Sequence, residues 1–405
     1  MRGFLFFTVL WILWQGKVNG QVQLKETNVL RPITEKNPKA SFGKGISYTA
    51  PDSSMNINFS TRFQTLFIAQ KPLSKNTDLE KEMMIRRFRV KFEGFAFTPK
   101  LEYKIELALS NQDIGTAMRE TGNAANIVLD AVLKYRVSNN SEFWFGQTKL
   151  PGNRERVISS QDLQFVDRSL VNAAYNLDRD LGIQFHHKLK IGKVILKDMY
   201  AIALGQGRNV TVADTGGLSY TGRFEILPLG EFTNNGDYFD ADLAREPKPK
   251  ISLGVGYSYN NNAQRENGEL GSFLKETRNL KTFFADAMIK YRGWSITSEY
   301  MNKSSEQSPI LKDTSGFYQT GYGWNIQSGY LFKNNVEVAG RYTVVNPSTI
   351  LKTFKQAEKI EEYTLGMSKY FKGHNLKVQT DVSYINDLGE DDPEMRYRLQ
   401  VELGF

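Results

Sequence analysis

At 405 residues, with 12% aromatic residues and 33 glycines, the chain is long enough for two or three soluble domains or for one large closed sheet. It has no cysteine, which excludes a disulfide framework, a thiol nucleophile and a thiolate metal site, and its three histidines (His186, His187, His374) are too few and scattered for a metal cluster. The net charge of +8 is dispersed among acids with no basic run, which argues against nucleic acid and leaves a weak bias toward anions.

Met1 to Gly20 reads as a secretory leader. Arg2 precedes an 11-residue apolar core, Phe4–Trp14, and Val18 and Gly20 supply small residues before a mature start at Gln21. The run is too short for a spanning helix, which needs about 20 apolar residues. Losing Arg2 and Lys17 with the leader takes the charge from +8 to +6. No later stretch approaches a spanning helix, so a membrane location requires a barrel. Residues 21–54 are polar, with Pro32, Pro38 and Pro51, and are predicted to form an irregular periplasmic lead-in; 55–405 is the β domain.

Strand signals then run to the end of the chain. Met55, Ile57, Phe59, Phe63 and Phe67 alternate with polar residues. In Arg86–Ser110, Phe88, Val90 and Phe92 oppose Arg87, Arg89, Lys91 and Glu93, and Tyr103, Ile105 and Leu107 oppose Glu102, Lys104 and Glu106. Successive strand side chains point to opposite faces, so this hairpin has one apolar face and one charged face. Similar segments recur from Leu129 onward, Val194–Leu204 being imperfect through Asp198, and the total is sixteen. Long connections (70–82, 111–126, 302–319, 346–359) alternate with short ones (98–100, 138–141, 333–335, 372–375), as outer loops and periplasmic turns do in membrane barrels. Pro228–Lys250 breaks the rule, being long where a short turn is due.

Aromatics fall at strand ends: Tyr135, Tyr291, Trp294, Tyr330, Phe332, Tyr370 and Phe371 beside short turns, and Tyr257, Tyr259, Tyr300, Tyr322 and Tyr384 at the opposite ends. A soluble sandwich would cluster them mid-strand; girdles at two interfaces fit a membrane barrel. The amphipathic last strand ends on Phe405, which looks like a recognition signal for outer-membrane assembly machinery. The fold class is therefore all-β, a sixteen-stranded transmembrane antiparallel barrel in the outer membrane of a Gram-negative bacterium.

The chain resembles the phosphate-selective porins O and P. The resemblance rests on Phe42-Gly-Lys-Gly-Ile46, RRFRVKFEGFAF, Phe145-Gly-Gln-Thr-Lys-Leu-Pro151, Phe165-Val-Asp-Arg-Ser169 and Arg179-Asp-Leu-Gly-Ile183. It continues through Leu227-Pro-Leu-Gly230, Gly236-Asp-Tyr-Phe239 and Asp286-Ala-Met-Ile-Lys-Tyr291. It covers essentially all of the mature chain, the overlong 228–250 connection included. It implies a passive channel for small hydrophilic solutes, a homotrimer, and a Gly152–Arg179 loop folded into the pore as the constriction. Arg154, Arg156, Arg168 and Arg179 are the candidates in that loop.

No cofactor and no metal is expected. Lipid, small anions or other hydrophilic solutes, and the assembly machinery are the expected partners, with no nucleic acid. The competing readings are a weakly selective general porin and a barrel hydrolase; against the latter, no G-x-S-x-G occurs and every histidine lies near a predicted periplasmic turn. Pore-lining candidates are Arg62, Arg87, Arg89, Lys91, Lys104, Arg396 and Arg398. In the first hairpin, residue numbers summing to 197 put Lys91 opposite Glu106 and Glu93 opposite Lys104, whereas 199 would oppose Glu93 to Glu106. The sequence predicts 197, with Phe97–Lys100 as connection. Arg87 and Arg89 then gain no carboxylate across the hairpin. Barrel closure is expected to gather Arg62, Arg87, Arg89, Arg396 and Arg398 into a cationic wall that raises the local anion concentration.

Overall fold

Alternation at period two fixes strands wherever one face meets a different medium from the other, and the strands between Met55 and Gly404 follow it apart from a few bulges. The computed structural model describes residues 39–73, 78–115, 118–122, 125–211, 216–390 and 392–405; the leader and the lead-in up to residue 38 lie outside the described residues. Two short strands come first, β1 (Lys39–Ser41) and β2 (Gly45–Thr49). The barrel strands follow: β3 (Met55–Pro72), β4 (Glu80–Ala96), β5 (Thr98–Ala108), β6 (Val128–Arg136), β7 (Ser141–Lys149), β8 (Arg179–Ile191), β9 (Val194–Ala203) and β10 (Ser219–Leu227). The second half comprises β11 (Lys250–Arg265), β12 (Phe273–Tyr291), β13 (Trp294–Ser305), β14 (Gly321–Leu331), β15 (Val336–Pro347), β16 (Ile360–Tyr370), β17 (Leu376–Asp387) and β18 (Glu394–Gly404). All sixteen predicted barrel strands are present.

Each barrel strand pairs antiparallel with the next, and β18 pairs with β3, from Glu394↔Pro72 to Gly404↔Arg62, to close the sheet. Closure leaves no long edge unpaired, which is what a strand-built membrane span requires. Among the described residues no helix is long and apolar enough to cross a membrane. Thr61 and Phe405 exchange backbone hydrogen bonds at 2.8 and 2.9 Å, and beyond that point β2 takes over as the partner of β3. The lead-in thus departs from the irregular expectation: β1 and β2 form a hairpin that continues the wall past the chain's end.

The first hairpin has the predicted register, with Lys91↔Glu106 and Glu93↔Lys104. Its connection is tighter than expected, because Phe97 takes a left-handed φ of 66° and lets Ala96 pair with Thr98. Phe88 and Ile105 are exposed on the outside, while Arg87 and Glu106 are buried inside. The outer face is therefore the apolar one. One predicted girdle residue is misplaced: Tyr370 is buried in the lumen, its hydroxyl donating to Glu337 at 2.6 Å.

The interior is largely filled. Segment 150–178 turns inward from the rim of the long loops, carrying short helices at Arg154–Val157 and Leu170–Tyr175, the latter capped by the Ser169 hydroxyl. Segment 228–249, the overlong connection, turns inward from the opposite rim around a short helix at Thr233–Tyr238. The two segments meet, Asp240 N donating to Asp162 O at 2.9 Å and Gln164 N to Asp240 Oδ2 at 3.2 Å. Apolar lumen residues receive them. Val171, Tyr175 and Leu177 cluster with Phe284, Met301 and Val345, and Ile158 and Leu163 cluster with Leu227, Phe232 and Met288. Gly323 and Gly366 are needed here, since a Cβ would come within 2.6 Å of Val171 at one and 2.9 Å of Phe165 at the other.

Candidate functional site

The in-folded segments pack on the wall from β10 to β17 and also reach β3 and β4 through Ser160 and Asp167, and open space is left along β3–β9. Loop carbonyls bind far-wall side chains: Lys377 and Gln379 donate to Leu163 O at 3.0 and 3.2 Å, and Arg341 to Asp167 O at 2.9 Å. Two of the chambers along the near wall share lining residues. The larger, about 600 Å³, is lined by Lys44, Arg62, Arg89, Lys91, Glu93, Lys104, Glu106, Lys134 and Asp162 among others. The second, about 410 Å³, shares Arg89, Lys104, Glu106, Lys134 and Ser159 with it and adds Trp144, Lys149, Leu150, Pro151, Val157, Arg179, His186, Met199, Arg223 and Tyr238.

The arginines expected to form an uncompensated wall are each neutralised. Arg62 meets Glu402 of the closing strand at 3.1 Å and donates to Ser160 Oγ at 2.7 Å. Arg87 meets Asp167 of the in-folded loop at 3.0 Å, and Arg89 meets Asp113 at 2.8 Å and Glu106 at 3.1 Å. Arg396 pairs with Glu394 at 2.8 Å and Arg398 with Asp381 at 2.6 Å. Arg89 does lie opposite Ala108 as predicted. Its carboxylates come instead from a diagonal neighbour and from the loop after β5. Lys91 pairs with Glu93 at 2.9 Å, and Lys104 with Glu106 at 2.9 Å and Asp130 at 2.7 Å.

The loop arginines act mainly as struts. Arg154 is fully buried and donates to Asp286 at 2.6 Å, Ser252 Oγ at 2.8 Å and Asp237 O at 2.8 Å. Arg156 binds Asp178 at 2.8 Å, Arg168 donates to the carbonyls of Glu155 and Ile158 at 2.7 Å each, and Arg179 binds Asp130 at 2.9 Å. Burial, with Arg156 and Arg87 nearby, pushes the Arg168 guanidinium well below its ordinary value. Against burial, Arg87 and Arg86 hold the Asp167 carboxyl well below the usual carboxylate range. Burial pushes Asp162 up to about 7 despite the opposing pull of Lys377 and Arg62.

In the second chamber Lys134 and Lys149 stand apart from the ion-paired arginines. Lys134 Nζ lies 3.9 Å from the Trp144 ring centroid, and Trp144 stacks on His186 at 4.0 Å. Lys149 Nζ donates to Val157 O at 3.0 Å and Ile158 O at 3.2 Å. Among the described residues neither forms an ion pair with a carboxylate. Sequence reasoning missed both as site residues, although Lys134 faces Trp144 directly across β6 and β7, a pairing that strand register exposes.

Residues 57–396 match the family profile of phosphate-selective porin O and P. The chain belongs to this family. The porin is also similar in fold to three solved structures. These are the outer-membrane protein OmpT of Vibrio cholerae in trimer form (12% identity, 87% of this chain and 100% of that one, TM-score 0.53), an anion-selective porin from Comamonas acidovorans (11%, 87% and 100%, 0.54) and the outer-membrane channel DcaP of Acinetobacter baumannii (12%, 89% and 100%, 0.56). Among curated proteins none matches the chain. The porin is an outer-membrane channel.

Proposed function

We propose that this porin is a passive channel for small hydrophilic solutes with a moderate preference for anions, carried by Lys134 and Lys149. The supporting observation is that the Lys134 and Lys149 side chains line the second chamber with no carboxylate partner among the described residues, whereas Arg89, Arg179 and Arg223 beside them are ion-paired. Uncompensated charge on a restricted path concentrates counter-ions, and salt screens the effect over about 10 Å at 0.1 M. Selection then depends on width and lining charge, with no cofactor.

A pore rather than a hydrolase fits the histidines: His186 stacks on Trp144, His187 bonds Asp198 at 2.9 Å, and His374 packs against Phe239 and Tyr370. Export by the 1–20 leader, insertion guided by the half-exposed Phe405 and a homotrimeric assembly complete the reading, the last in keeping with the trimer form of OmpT. The test is the reversal potential across a KCl gradient. Wild type should favour chloride, Lys134→Gln with Lys149→Gln should lose that preference, and the paired replacement Arg398→Gln with Asp381→Asn should keep it. A wild-type preference for potassium, or an unshifted lysine variant, would refute the proposal.

A further inference from the structure

The smaller chamber carries chemistry that inorganic anion selectivity does not require. Beside its cations stand Leu150, Pro151, Val157, Met199 and the rings of Trp144 and Tyr238. Its volume, about 410 Å³, lies within the range of small-molecule sites, which typically span about 300–1,000 Å³.

The donors there are few. An ammonium has three N–H groups, and Lys149 uses two of them on the carbonyls of Val157 and Ile158. Lys134 rests over the Trp144 ring and offers a compact head rather than a fork of donors. Arg89, Lys104 and Arg179 at the margin are already committed to Glu106, Asp113 and Asp130, and Arg223 pairs with Glu225 and Asp286, its Nη2 being buried out of reach without a partner. A tetrahedral phosphate has several strongly hydrated oxygens to satisfy, and dehydrating them against apolar walls is costly. A carboxylate needs only one or two donors at one end, and a hydrocarbon body attached to it gains from the apolar wall.

We propose that this chamber is a binding subsite for small organic carboxylates with an apolar or aromatic body, held at the charged end by Lys134 and Lys149 and along the body by Met199, Val157 and the Tyr238 ring. The proposal rests on the anion-preferring reading above and names the solute class that the same path favours. It places organic acids ahead of inorganic phosphate as the solutes this porin retains longest.

The experiment measures block of the chloride current in planar bilayers by benzoate, hexanoate, acetate and inorganic phosphate. Benzoate and hexanoate should reach half-block at concentrations at least about tenfold below acetate, the apolar body accounting for the gain, with phosphate no stronger than acetate. Lys134→Gln with Lys149→Gln should raise the benzoate half-block concentration about tenfold or more, and Met199→Gln with Val157→Ser should erase the difference between benzoate and acetate.

A second readout avoids dependence on these variants. Trp11 and Trp14 belong to the leader, and Trp294 and Trp324 are exposed on the outside, so Trp294→Phe with Trp324→Phe leaves Trp144 as the indole reporter of the mature chain. Benzoate should quench its emission saturably and phosphate should not. Equal block by benzoate and acetate in an otherwise chloride-selective pore would overturn this inference and leave the anion reading standing. Stronger block by phosphate than by benzoate would overturn it too. A potassium-selective wild type would instead overturn the anion reading beneath it.

Discussion

Replacing Arg154 with alanine should release the in-folded loop from the far wall. The guanidinium is fully buried and joins the loop to Asp286, Ser252 and Asp237, with Glu225 at 3.5 Å. Breaking a buried pair from one side costs about 3–5 kcal/mol, because the surviving charge stays desolvated. Here the survivors are partly covered: Arg223 remains 2.7 Å from both Asp286 and Glu225. The lower end, about 3 kcal/mol, is therefore expected, which shifts the docked-to-released ratio of the loop by about a hundredfold. Single-channel recordings should show a larger or noisier conductance, and trypsin should cut sooner within 154–168. Arg156→Ala is the control, because its bond to Asp178 stays within the same in-folded segment. Unchanged conductance and unchanged protease protection in Arg154→Ala would refute the strut reading.

Two further outcomes are expected. Val90→Arg should cost about 2–4 kcal/mol of reconstituted stability if Val90 sits near the midplane, while Arg89→Val should act through lost lumen pairing; a harmless Val90→Arg would reverse the faces of β4. Asp162 lines the larger chamber, and burial raises its carboxyl to about 7. Below that pH it is neutral and above it negative, so chloride preference should fall as pH rises from 6 to 8, and Asp162→Asn should stay flat across that range. An identical slope in Asp162→Asn would assign the titration elsewhere.

The barrel was legible because each strand carries its own statement of which face is wet. The register of β4 and β5 was legible too, since charge complementarity separated two discrete alternatives. The arginine wall misled for a different reason. Period two gives the face of a residue but not what meets it across the lumen. The acid that holds Arg62 lies 340 residues away, and the one that holds Arg87 comes from a loop 80 residues away. Arg398 was within reach, because Asp381 faces it directly across the β17–β18 hairpin. The filling of the interior was only half visible. Lumen-facing Phe284 and Met288 sit on the parity that a water-filled pore would make polar, and they are apolar because segments 150–178 and 228–249 pack on them.

That lopsided filling divides the molecule into halves that tolerate change differently. From β10 to β17 the wall is backed by a second layer and behaves as the core of a soluble protein, where one altered methylene is felt through packing. Along β4 to β8 more open space adjoins the sheet, although inward side chains such as Arg87, Asp130, Thr148 and Gln184 are themselves buried in polar contacts. Redesign of the channel is confined to the second surface, at positions that line the chambers without holding the loop. Substitutions there change what crosses the membrane, and substitutions on the first change whether the channel holds together.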